Sequence, residues 1–180
     1  MQVIPTDIPD VLILEPRMYP DDRGAVWESH NRRAFADATG IDVEFVQDNH
    51  SRSRKDVLRG LHYQVGHPQG KLVRVVRGEI FDVAVDLRRR SPTFKRWVGF
   101  TLSDRGSGMA WIPPGFAHGL LALADADVIY KMTDYYVPER ERSVIWNDPE
   151  LAIRWPLHGA PILSGRDAMA PKLAEAELFE

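Results

Sequence analysis

The sequence predicts an all-β fold closed as a sandwich or barrel, and three observations carry the prediction. Between Val11 and Val137 the apolar segments are short and rich in Val, Ile, Phe, Tyr and Trp, the side chains that suit a pleated, half-buried surface. Gly, Pro, Asp and Ser separate them at the close spacing of strands joined by turns. Helical signals are sparse.

Taken in order, Val11–Leu14 and Gly24–Ser29 are the first strand candidates. Asn31 to Thr39 reads as a helix, with Asn31 as its cap and Gly40 as its stop, because a short amide side chain satisfies the first free N–H groups and glycine ends the turn. Strands follow at Val43–Asn49 and Leu58–Gln64. The plainest hairpin runs from Lys71 to Arg88, turning at Arg77-Gly78-Glu79. Its second arm alternates Phe81, Val83 and Val85 against Asp82, Ala84 and Asp86. Asp82 and Asp86 therefore share a face, which is expected to be wet or functional. Trp97–Leu102, Gly108–Ile112, Gly119–Leu123 and Val128–Tyr136 complete the strands, and Pro171 to Leu178 reads as a short terminal helix. If Val128–Tyr136 runs unbroken, Tyr130 and Tyr136 fall on one face and Tyr135 on the other. Neither repeat nor linker interrupts the chain, so residues 1–180 read as one domain.

Composition narrows the function. The chain is 44% hydrophobic and 27% charged, with no run of eighteen apolar residues and no charged-then-apolar leader, which predicts a cytoplasmic protein without a membrane span. The absence of cysteine removes disulfides, thiolate metal sites and a cysteine nucleophile. A net charge of −3 and a pI near 6.1 give no reason to expect nucleic-acid binding. An anionic ligand would need a local basic cluster.

Such a cluster is available. Polar groups that strands could turn inward recur at Asp22-Arg23-Gly24 with Glu28, at Gln47-Asp48-Asn49, from Arg59 to Gln64, and at Lys71. A cavity lined by a few convergent polar groups is the default binding site of a small β-barrel. Arg23, Arg59 and Lys71 together suit a diphosphate, because guanidinium forks match phosphate oxygens; any one alone reads better as a solvated surface charge. His62, in an apolar strand context, is the candidate base, and His118, in the loop Pro113–Gly119, suits a ligand hydrogen bond. A satisfied core histidine is the plain alternative for both. For the tyrosines, proton donation or stacking on a base competes with ordinary aromatic packing.

The short strands and the glycine-proline-histidine loop resemble those of cupin jelly rolls, many of which bind metal through a His-x-His pair. Here that pair is replaced by His62-Tyr63-Gln64. No metal is expected, with His67 and Glu79 the remaining nearby donors.

A closer resemblance rests on Asp22-Arg23-Gly24, Gln47-Asp48-Asn49-His50-Ser51, Leu58-Arg59-Gly60-Leu61-His62-Tyr63-Gln64, Gly70-Lys71-Leu72-Val73, Phe81-Asp82-Val83-Ala84-Val85-Asp86, Ser91-Pro92-Thr93-Phe94, Pro114-Gly115-Phe116-Ala117-His118-Gly119, Trp146-Asn147-Asp148-Pro149 and Ser164-Gly165-Arg166-Asp167. These motifs, spanning nearly the whole chain, resemble the dTDP-4-dehydrorhamnose 3,5-epimerase family. The resemblance implies a double-stranded β-helix, or jelly roll, with short flanking helices, acting as a homodimer without cofactor or metal. Its substrate would be a dTDP-linked 4-keto-6-deoxyhexose, inverted at C3 and C5, with C3 alone as the alternative. By the same resemblance His62 is the base, Asp167 its carboxylate partner, Lys71 the group that stabilises an enolate and Tyr130 the opposing acid. Arg23, Glu28, Gln47, Asn49, Arg59, His118 and Glu141 would contact the sugar nucleotide, and Tyr136 would stack on thymine. A non-catalytic sugar-nucleotide binding module would keep the basic cluster without needing the base and acid together.

Overall fold

The computed structural model describes residues 1–180. Its strands are β1 (Gln2–Pro5), β2 (Leu12–Glu15), β3 (Tyr19–Asp21), β4 (Gly24–Val26), β5 (Gln47–Ser53), β6 (Leu58–Gln64), β7 (Lys71–Arg77), β8 (Glu79–Asp86), β9 (Trp97–Ser103), β10 (Met109–Ile112), β11 (Phe116–Ala122), β12 (Ala126–Met132) and β13 (Glu141–Ser143). Helix α1 spans Arg32–Thr39 and a single turn, α2, spans Gly165–Ala168. One sheet has the order β1-β2-β10-β7-β12-β5 and the other β13-β6-β11-β8-β9, while β3 and β4 form a separate hairpin. Neighbours are mostly non-consecutive in the chain, as in a jelly roll. The two sheets face each other as separate ladders, so the fold keeps edge strands instead of closing completely.

Alternation decides what lies between the sheets. Val73 and Val75 of β7, Ile80 and Ala84 of β8, Leu120 of β11 and Val128 of β12 belong to one buried cluster of 13 residues. The outer faces are covered too. Leu61, Val83 and Val85 pack with Leu151 and Leu173 of the C-terminal segment, while Leu72, Met109 and Trp111 pack with Phe35 of α1. Burying such side chains is worth about 1.5–3 kcal/mol each.

Helix α1 begins and ends as the sequence predicts: the Asn31 side chain accepts from the Ala34 N–H at 3.1 Å, and Gly40 takes φ 74°. Other expectations are corrected. β7 and β8 are strands but not a hairpin, because the turn at Gly78 carries the chain from one sheet to the other, where β7 pairs with β10 and β12 and β8 with β11 and β9. The second strand expectation is confined to Gly24–Val26, and Val43–Asn49 is displaced to β5, because Val43 and Phe45 pack beneath α1. The strand expected to reach Tyr136 ends at Met132, where the Thr133 hydroxyl accepts from the Gly70 N–H at 2.8 Å. In place of a terminal helix from Pro171, a single tight turn at Leu173–Glu175 leads into a bridge between Phe179 and Arg88.

Asp82 and Asp86 do share a face, but it is the inner one, and both are fully buried. Asp86 accepts from Arg88 Nε at 2.9 Å, Ser91 Oγ at 2.5 Å and Thr93 Oγ1 at 2.6 Å. Burial alone would raise its pKa; these hydrogen bonds outweigh burial and hold it at about 2. The Ser91-Pro92-Thr93 segment is thus the tie that fixes the β8–β9 loop.

Candidate active site

The gap between the sheets opens into a cleft with two adjoining lobes. The first, of about 150 Å³, is lined by Ser51, Arg59, His62, Lys71, His118, Gly119, Leu120 and Tyr130. The second, of about 100 Å³, is reached by Asn49, Gln69, Tyr136 and Glu141 among others. His62, Lys71 and Tyr130 line both.

A local irregularity in β6 sets the first lobe. His62 lies opposite His118 on β11, yet Arg59 lies opposite Leu120, so β6 holds one more residue than its partner over this stretch. In an uninterrupted strand, residues three apart point to opposite faces; the extra residue reverses the phase and brings both Arg59 and His62 to the cleft. Glycine makes this possible. Gly60 has φ 122°, and a Cβ there would stand 2.6 Å from the Gly119 Cα, so the two strands approach closer than any side chain allows.

His62 Nε2 lies 2.5 Å from Asp167 Oδ1. Asp167 is delivered by α2, where Ser164 caps the turn: its Oγ accepts from the Asp167 N–H at 3.0 Å and donates to Asp167 Oδ2 at 2.8 Å. The parallel bridge between Val57 and Ile162 anchors this segment beside the start of β6. Burial would raise the Asp167 pKa, but hydrogen bonds from His62, Ser164 and the Gly60 backbone prevail and keep it below the usual carboxylate range. An ionised Asp167 fixes the orientation of the His62 ring.

Lys71 opens β7 facing inward and is 9% exposed. Burial lowers its pKa to about 8, despite the opposing influence of Asp82 and Glu141. Tyr130 stands on β12, opposite Val73 of β7, and so shares the inner face with Lys71. His118 Nε2 meets Asp82 Oδ1 at 2.6 Å, forming a second histidine–aspartate pair on the β8–β11 side.

At the mouth, Gln64 fixes the loop after β12: its Nε2 donates to the His67 and Tyr135 carbonyls and its Oε1 accepts from the Val137 N–H at 2.6 Å. The Tyr136 hydroxyl donates to Glu141 Oε2, which raises its pKa, and Arg166 Nη1 donates to the same oxygen at 2.5 Å. Gln47 accepts from the Tyr136 N–H at 2.9 Å and donates to Asn49.

The structure therefore brings His62, Asp167, Lys71, Tyr130, Asn49, Arg59, His118, Tyr136 and Glu141 to one cleft, with Gln47 adjoining. Arg23 and Glu28 are not among the cleft residues of their own chain. Arg23 is exposed on the β3–β4 hairpin and paired with Asp21 at 2.6 Å, and Glu28 accepts from Asn31 at 2.9 Å. Sequence reasoning assigned no role to Ser51, Gln64 or Arg166. The capping pattern Ser164-x-x-Asp167 was the available signal for α2, and hence for Arg166 beside the cleft.

A histidine–carboxylate pair, a buried ammonium and a phenol held around one cleft are suited to exchanging protons at a carbon beside a carbonyl. That chemistry defines an isomerase on a jelly-roll scaffold. The chain belongs to the dTDP-4-dehydrorhamnose 3,5-epimerase family, whose sequence pattern matches residues 5–175. It is 57% identical over 173 residues to the dTDP-4-dehydrorhamnose 3,5-epimerase of Pseudomonas aeruginosa, covering 96% of each chain. It is 54% identical to that of Salmonella typhimurium, covering all of both. Among solved structures, the dTDP-6-deoxy-D-glucose-3,5-epimerase of Legionella pneumophila, in complex with dTDP-4-keto-L-rhamnose, superposes with a TM-score of 0.96 at 50% identity, covering 99% of this chain and 97% of that one.

Proposed function

We propose that the protein converts dTDP-4-dehydro-6-deoxy-D-glucose to dTDP-4-dehydro-L-rhamnose, inverting C5 and C3 through enolates. One observation carries the catalytic assignment: His62 and Tyr130 face one cleft from opposite sheets, with Lys71 lining the same space. Both C3 and C5 flank the C4 ketone, so one mechanism serves each. His62 Nδ1, which has no protein hydrogen bond, takes the α-proton, and the electron pair of the broken C–H bond moves onto the C4 oxygen. The Lys71 ammonium stabilises that oxyanion. Tyr130 then donates its phenolic proton to the opposite face of the planar carbon, and inversion results because acid and base flank the ring. Asp167 orients His62 and balances its charge after protonation.

Arg59, His118, Gln47, Asn49 and Glu141 hold the sugar nucleotide, and the half-exposed ring of Tyr136 stacks on thymine. Arg23 and Glu28 reach a cleft only as members of a second copy, which makes the working unit a homodimer. Support for this comes from the same β3–β4 region, where Met18, Tyr19 and Val26 are 41%, 55% and 71% exposed, a larger apolar display than a free hairpin requires. Its charged substrate does not cross membranes unaided, so we place the reaction in the cytoplasm with residues 1–180 as one catalytic domain.

The test is product configuration. Purified protein incubated with dTDP-4-dehydro-6-deoxy-D-glucose, followed by reduction of the ketone and NMR of the sugar, is expected to give the doubly inverted L-sugar. Inversion at C3 alone, or unchanged sugar that is nonetheless bound, would overturn the reading.

A further inference from the structure

Strand β5 turns four consecutive inward positions over to polar side chains: Gln47, Asn49, Ser51 and Ser53, each opposite an inner-face residue of β12. Gln47 and Asn49 bond to each other at 2.9 Å, and the Ser53 hydroxyl accepts from Arg59 Nε at 2.9 Å. Ser51 alone of the four has no partner, although its Oγ is buried. A hydroxyl withdrawn from water without a hydrogen bond weakens a fold, and alanine would pack as well in its place. The hydroxyl therefore needs a partner that arrives with the ligand.

Its surroundings say which part of the ligand. Ser51 lines the lobe that contains Arg59 as well as His62, Lys71 and Tyr130, and on β5 it is the inward neighbour of Ser53, the residue that binds Arg59. Arg59 is held through Nε to Ser53 and through Nη2 to the Arg52 carbonyl at 3.0 Å, which leaves Nη1 as an uncommitted donor. A guanidinium pinned on one side with a donor to spare is prepared for an anion, and a neighbouring hydroxyl supplies a further donor to the same group. We infer that the Ser51 hydroxyl is a further binding group of this site, donating to the diphosphate of the nucleotide beside Arg59. The inference rests on the reading that the cleft takes a nucleoside-diphosphate sugar.

Calorimetric titration with thymidine diphosphate alone tests it on the full chain. Ser51→Ala is expected to raise the Kd about tenfold, the loss typical of one hydrogen bond to a charged group, and to raise KM in parallel. The melting temperature without ligand should not fall, since the variant removes an unpartnered buried hydroxyl. Ser51→Cys, with a weak donor at similar volume, should lose affinity in the same direction. Thymidine diphosphate bound equally by wild type and both variants would overturn the inference, as would a loss confined to the sugar-bearing substrate. Wild type that binds thymidine diphosphate but leaves the sugar unchanged would sink the epimerase reading and leave the Ser51 comparison standing.

Discussion

In the proposed mechanism, protonation state governs what each residue of the cleft contributes. His62 must begin neutral to accept a proton, and the ionised Asp167 at 2.5 Å then stabilises the imidazolium. Replacing His62 with Ala should lower kcat by about a thousandfold, within the range for positioned acid–base groups. It should also stop deuterium entering the sugar from solvent. Tyr130→Phe should instead permit proton removal while suppressing inversion, and steady-state rates compared with exchange rates separate the two roles. Equal loss of exchange in both variants would contradict the division. Lys71 acts only while charged. Burial brings its pKa down to about 8, so kcat/KM should fall as pH rises through that value, and Lys71→Met should remove this alkaline limb along with most of the rate. The sign for stability is opposite: a lysine less basic when folded than unfolded destabilises the fold fully below about pH 8. That penalty fades as pH rises toward the unfolded value.

At the scale of elements, the central prediction concerns the extra residue in β6. Gly60→Ala places a side chain at φ 122° and within 2.6 Å of Gly119, which should cost at least about 3 kcal/mol and misdirect Arg59 and His62 together. Denaturant unfolding checks it; wild-type stability would show that the strands can part. The same strands mark what was legible in the sequence. β6, β7 and β8 are plain as strands because their apolar residues serve buried faces, but the glycine turn at Gly78 imitates a hairpin where the chain in fact passes from one sheet to the other. β5 was misplaced because its inner face lines the cleft, so the positions that normally advertise a strand carry Gln47, Asn49, Ser51 and Ser53. β1 and β13 are short edge strands, and the pairing of β13 comes from a distant partner, β6. The C-terminal segment mimics a helix because Leu173, Ala176 and Leu178 are apolar, yet they pack on the outer sheet from a turn and an extended tail. Spacing could not have shown that Asp167 meets His62, since the contact closes a separation of 105 residues; the family resemblance supplied it.

For the whole molecule, the two sheets act as opposing walls. One presents His62 and His118 and the other Lys71 and Tyr130, which in the proposed mechanism addresses a flat sugar ring on both faces. The cation Arg23 and the carboxylate Glu28 stand outside this arrangement in their own chain, and the proposed dimer gives them a place in it. Light scattering should return twice the 20.5 kDa of one chain, and a monomer at working concentration would contradict that part of the account. Proton NMR of dTDP-4-dehydro-6-deoxy-D-glucose in D₂O with the purified protein would decide whether both carbons exchange. Both the C3 and C5 proton signals should disappear as the doubly inverted sugar forms. Bound substrate that keeps both protons would contradict the proposed epimerisation.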